Sequence, residues 1–138
     1  MTEARADEAD PLKDVRIGMT GSLEETVTFD RTVGGHVAGM PAVYGTPMMI
    51  MLMEKASGAA IAGHLPQGWV TVGSEVDIRH LAPTPVGRVV TATARVLDVE
   101  GRSVLFAVEA HDGERKVGEG RHRRGAVNLK RFLARYGI

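Results

Sequence analysis

Cysteine is absent from this 138-residue chain. Its absence excludes disulfides, thiol nucleophiles and Cys-ligated metals. Net charge is absent too, 17 Lys and Arg standing against 17 Asp and Glu. A neutral chain is a poor general binder of nucleic acid or of a membrane surface. No long hydrophobic run exists: the strongest apolar stretch, residues 47–53, is far too short to cross a bilayer. The first 15 residues are acidic and carry no apolar run, so no secretory signal is visible and the expected location is cytoplasmic. The five histidines form no HxH, HxxxH or HExxH, and no metal site is expected. GxGxxG, GxxxxGK[ST] and GxSxG are missing as well. Gly118-Glu119-Gly120 offers two glycines of a dinucleotide loop but stands between strands, which fails the context that motif needs.

What is present describes one ordinary globular domain. Hydrophobic residues make up 43% and charged residues 25%, far from the composition of a disordered chain. The charge is unevenly spread. Residues 1–30 hold eight acids and three bases, residues 31–112 seven and six, and residues 113–138 two and eight. The basic end reads either as a solvated strand and tail, as a surface paired head-to-tail in an oligomer, or as a site for a polyanionic ligand such as a phosphorylated cofactor.

Along the chain, residues 1–14 lack periodicity and read as a flexible terminus, leaving 15–138 as the single domain. Leu23, Val27 and Phe29 roughly alternate with polar residues and suggest a first strand. Residues 30–45 gather Gly34, Gly35, Gly39, Gly45 and Pro41, the composition of a mobile, lid-like loop. A helix follows, with Thr46 as N-cap and Pro47 at the first helical position. Residues 47–53 are apolar on every side, which predicts a buried central helix. Beyond it the period changes to two. Val70, Val72, Val76 and Ile78 alternate, then two long strands meet at Glu100-Gly101, and Asp112-Gly113 turns into a last strand. The predicted class is α+β, an antiparallel sheet of five strands around one helix. So short a chain with so much apolar surface and two edge strands is expected to be a homodimer at the least.

Glu54 is the oddest residue, because it ends the apolar run of a helix that should be buried. A carboxylate there either pairs with Lys55, Lys13 or an arginine, escapes to solvent, or takes up a proton with a raised pKa, as general bases do. Thr46, eight residues earlier, lies on roughly the same helix face, although capping alone would explain it. His80 ends the strand motif Glu75-Val76-Asp77-Ile78-Arg79-His80 just before a proline-rich loop, a position from which scaffolds present reactive groups. His36, His64, His111 and His122 are less telling. The methionines between 48 and 53 read as pliable core or as the lining of an acyl tunnel.

The order of these features resembles the hot-dog-fold acyl-CoA thioesterases, in particular the fluoroacetyl-CoA thioesterase group. The resemblance runs from about Val43 to Phe132. It rests on Thr46 with Met53-Glu54, His80 with Thr84-Pro85-x-Gly87, Val99-Glu100-Gly101-Arg102, Ala110-His111-Asp112-Gly113, and Gly118-x-Gly120-x-His122-x-Arg124. It implies a homodimer, with higher assembly open, whose acyl-CoA sites lie at the subunit interface. Coenzyme A enters only as part of the substrate, with no separate cofactor. The resemblance implies a catalytic triad of Thr46, Glu54 and His80, a Gly73 whose N–H holds the thioester carbonyl, and an Arg124 near the coenzyme A end. The family's lid phenylalanines are missing, since residues 37–44 have only Tyr44 as an aromatic. Met40 and Tyr44 are the candidate acyl contacts there. Hydrolysis of a small or medium acyl-CoA carries over, and selectivity for fluoroacetate does not. Two other readings stay open: a non-catalytic acyl-CoA binding or sensing module, and an acyl-CoA hydratase. The hydratase is disfavoured because Asp77 and His80 share a strand instead of a loop.

Overall fold

A computed structural model describes residues 10–138. The elements run β1 (Thr20–Thr26), a 3₁₀ turn (Phe29–Arg31), α1 (Thr46–Ala60), β2 (Trp69–His80), β3 (Val89–Glu100), β4 (Ser103–Asp112), β5 (Arg115–Asn128) and α2 (Leu129–Tyr136). All strand pairs are antiparallel, in the order β1-β3-β4-β5-β2. This is the expected five-stranded sheet around a helix, with β1 and β2 at its two edges.

The period-two patterns place the core. Val90, Ala92, Ala94 and Val96 on β3 and Val104, Phe106, Val108 and Ala110 on β4 are buried on one face, and α1 lies across that face. The sheet side of the contact is made of small residues. A side chain on Gly21 would meet the backbone of Ala56 and Ala60, and one on Gly118 would meet the ends of Met49 and Met53. The hairpin turns fall where expected, at Gly101 (φ 60°) and Gly113 (φ 62°), a left-handed backbone that glycine adopts without steric cost.

Four expectations change. Residues 1–9 of the expected flexible terminus lie outside the described residues, but Leu12 is buried in the core, so packed structure begins before residue 15. The helix is not buried all round. Met49, Leu52, Met53, Ala56, Ser57 and Ala60 face the sheet, while Pro47, Met51, Lys55 and Ala59, spaced by four, are exposed. One sheet can cover only one side of a helix. The glycine-rich loop is tied down by backbone hydrogen bonds from Val33 to Val43, Gly34 to Pro41, Tyr44 to Thr84 and Gly45 to Arg31. Finally, the chain ends in a helix and not in a strand and tail. Asn128 caps α2 by accepting from the Arg131 N–H at 3.1 Å.

Candidate active site

Two clusters of polar side chains form along α1 and β2, one at the start of α1 and the end of β2, the other at the middle of α1 and the first half of β2. The first joins Thr46 to His80. Gly45, not Thr46, is the N-cap of α1, and no side chain caps that end. Thr46 is the first helical residue, and its hydroxyl is free for other work: Oγ1 lies 2.7 Å from Nδ1 of His80. His80 is the last residue of β2. Its burial lowers its pKa below the ordinary histidine value, so the ring is neutral near pH 7. A neutral ring can accept the Thr46 proton at Nδ1, the geometry a general base requires. Nε2 is then the protonated nitrogen, buried without a protein partner among the described residues. Thr46, His80, Val33, Val43 and residues 81–83 line a cleft of about 350 Å³. Beside it an apolar cavity of about 260 Å³ is walled by Val33, His36, Val37, Pro47 and Met48.

The second cluster surrounds Glu54. Its Oε2 lies 3.5 Å from Nη1 of Arg124, so the buried-helix carboxylate is answered by an arginine, one of the partners anticipated for it. Arg124 is fully engaged. Nε donates to Thr71 Oγ1 at 2.9 Å, Nη2 to the Thr71 carbonyl at 2.7 Å, and Nη1 sits 3.1 Å from His122 Nε2. His122 is itself buried, with Nδ1 2.9 Å from the Glu75 carbonyl. A carbonyl can only accept, so Nδ1 carries the hydrogen and Nε2 receives the Arg124 donor. Burial lowers the His122 pKa, and the neighbouring Arg124 charge lowers it further. Burial also lowers the Arg124 pKa, against the pull of Glu54. Gly73 faces this cluster: a Cβ there would sit 3.0 Å from Glu54 Oε2 and 3.1 Å from His122 Cε1. The β2–β5 register slips between Gly73 and Glu75, the kind of bulge that re-aims a strand beside a site.

Within one chain the structure brings Thr46 to His80 and leaves Glu54 apart from them. Eight residues of helix separate Thr46 and Glu54 by about 12 Å along the axis, and each has its own partners. Other candidates also move. The side chain of Arg124 is 12% exposed, which makes it a positioning group for Glu54 and not an outward phosphate contact. Tyr44 is buried, and its hydroxyl donates to Glu25. Burial and that carboxylate push its pKa up, and Tyr44 remains among the residues that line the Thr46–His80 cleft. Met40 is half exposed and lines neither cavity. Thr71 and His122 are the site residues that the sequence reading passed over. Gly-x-His-x-Arg in a strand puts His122 and Arg124 on one face, which was the available signal. A hollow of about 430 Å³ over β1, β3 and β4 includes none of these residues.

A family model described as fluoroacetyl-CoA-specific thioesterase matches residues 27–130. The fluoroacetyl-CoA thioesterase of Streptantibioticus cattleyicolor is 40% identical over 98 residues, covering 71% of this chain and 70% of that protein. A solved structure of a variant fluoroacetyl-CoA-specific thioesterase, in complex with fluoroacetate and CoA, superposes with a TM-score of 0.80 at 35% identity, over 86% of this chain and 99% of the other. A thioesterase superfamily member from Thermus thermophilus superposes at 0.83 with 29% identity, over 91% and 93%. The antiparallel sheet wrapped on α1, the Thr46–His80 pair and these matches agree: the chain is a hot-dog acyl-CoA thioesterase and belongs to the fluoroacetyl-CoA-specific thioesterase family.

Proposed function

We propose that the chain hydrolyses a short acyl-CoA as a homodimer in which each site is completed by the second copy. The observation that carries this reading is the separation of Thr46–His80 from Glu54–Gly73 within one chain. β2 is an edge strand of 12 residues, and its free edge is a template for a further strand. Pairing β2 with its own copy about a two-fold axis between Val76 and Asp77 sets residue 73 opposite residue 80, because the paired numbers then sum to a constant. Gly73 and the adjoining Glu54 carboxylate of one copy thereby meet His80 and Thr46 of the other. The same contact covers the exposed Val76 and the open Met51 face of α1.

In such a site His80 accepts a proton from water or from the Thr46 hydroxyl, and Glu54 orients the same group. The N–H of Gly73 holds the developing oxyanion, an interaction worth on the order of 3 kcal/mol per donor. The apolar cavity of about 260 Å³ beside the cleft suits a small acyl group. Its walls contain no phenylalanine, which favours a plain short acyl chain over fluoroacetyl. Thiol release from acetyl-, propionyl-, butyryl-, fluoroacetyl-, phenylacetyl- and long-chain-CoA tests this. Turnover is expected on the short members and is lost in Glu54→Gln. Coenzyme A binding without thiol release from any member would instead make the chain a binding module.

A further inference from the structure

We propose that the basic and aromatic hollow at the start of β2 and α2 holds the 3′-phosphorylated ADP end of coenzyme A. The proposal rests on the acyl-CoA reading and adds to it the place of the nucleotide. Paired residues of an antiparallel ladder share a face. The β2–β5 register pairs Gly73 with Arg124, Thr71 with Ala126 and Trp69 with Asn128. These pairs form one continuous strip on the helix side of the sheet. It runs from the Glu54 cluster to Trp69, four residues of strand or about 13 Å away. Trp69 and Ala126 in that strip are buried, so an extended pantetheine arm would follow the open edge of β2 beside it and deliver the nucleotide to its far end.

A hollow of about 380 Å³ opens there, walled by Arg102, Asn128, Arg131, Phe132, Arg135 and Tyr136. Its chemistry matches the nucleotide. The Arg102 and Arg131 guanidinium carbons lie 5.0 and 5.8 Å from the Trp69 ring centre, and that of Arg135 lies 5.7 Å from Tyr136. Planar guanidinium forks match phosphate oxygens two at a time. Phe132 and Tyr136 form an aromatic pair at 5.0 Å, and Tyr136 is 60% exposed, which leaves a ring for a purine to stack on. Arg102 is fixed from the β3–β4 turn, where its carbonyl accepts from the Ala126 N–H at 2.8 Å. The hollow accounts for part of the positive charge that residues 113–138 carry, and that Arg124, folded inward, does not present.

The test compares one acyl group carried on coenzyme A and on pantetheine, which lacks the nucleotide, with Arg102→Ala and Arg135→Ala made singly and together. Each charge-assisted contact is worth roughly tenfold in affinity. The double variant is therefore expected to raise KM for the acyl-CoA by about tenfold or more. Its kinetics on the acyl-pantetheine should match those of the parent chain. Equal losses on both thioesters, or none on either, would overturn the proposal and leave hydrolysis standing. Calorimetric titration with coenzyme A decides the matter independently of turnover. Weaker binding of coenzyme A but not of pantetheine supports the subsite even if no thioester is cleaved, and unchanged binding of both overturns it.

Discussion

Mixing two inactive variants is the sharpest test of a site shared between copies. Thr46→Ala removes the hydroxyl at the start of α1, and Glu54→Gln removes the carboxylate about 12 Å away at its middle. If each site takes Thr46 and His80 from one copy and Glu54 from the other, a dimer of one variant of each kind has one site with both lesions and one with neither. Equal amounts of the two, allowed to exchange, form roughly half mixed dimers, each with one of two sites intact. Thiol release should then recover to about a quarter of the parent activity per dimer, from near zero in either variant alone. Exchange is followed by native mass spectrometry with one variant isotopically labelled. Mixed dimers that form in the expected proportion and remain inactive would refute the shared site and return all the chemistry to a single chain.

Gly73→Ala should leave the fold intact and injure the site. The added methyl meets the flexible tip of Glu54 at 3.0 Å and the edge of His122 at 3.1 Å, so the carboxylate gives way. Displacement of a reacting group by such a distance lowers kcat/KM by about tenfold or more, and an unchanged value with an unchanged melting temperature would contradict the role given to Gly73. Buried His122 and half-buried His80 set the pH response. Both have pKa values below the ordinary 6.5, so in the window between their lowered values and 6.5 the unfolded chain binds more protons than the folded one. Stability is then full above that window and declines as pH falls through it. Melting temperature against pH should fall less steeply in His122→Gln than in the parent chain.

Much of this was legible in the residues because burial follows local pattern. The alternation of Val90, Ala92, Ala94 and Val96, and of Val104, Phe106, Val108 and Ala110, marks two core strands, and Gly101 and Gly113 mark their turns. Glu54 and His80 stand out because a charge after an apolar run and a histidine at a strand end both need an explanation. The exposed side of α1 was not legible. Residues 47–53 are apolar all round, and the period of a helix cannot say which of two partners covers each side. Helix α2 was missed although Asn128, then Leu129, Phe132, Leu133 and Tyr136, then Gly137 spell a cap, an apolar stripe and a stop; the dense positive charge drew the reading toward an open tail. The inward turn of Arg124 was beyond local reasoning, because it depends on Thr71 and Glu54, which lie 53 and 70 positions earlier in the chain and meet it only through the sheet register.

The close fit of α1 on Gly21 and Gly118 also limits how this enzyme could be re-engineered. A substrate chamber is usually widened by trimming the side chains that wall it. At the Gly21 and Gly118 contacts beneath this helix nothing remains to trim, for the sheet has no side chain there. Adding bulk at Gly21 would lift the helix off its support and carry Thr46 and Glu54 with it. Room for a longer acyl chain is more readily made at Val33, Val37 and Met48, around the small cavity at the helix start. Chain-length preference is thus a property of about three side chains on one loop and one helical turn. Val33 also lines the Thr46–His80 cleft, so Val37, which walls only the small cavity, is the position where chain length can be altered with least effect on the reactive pair.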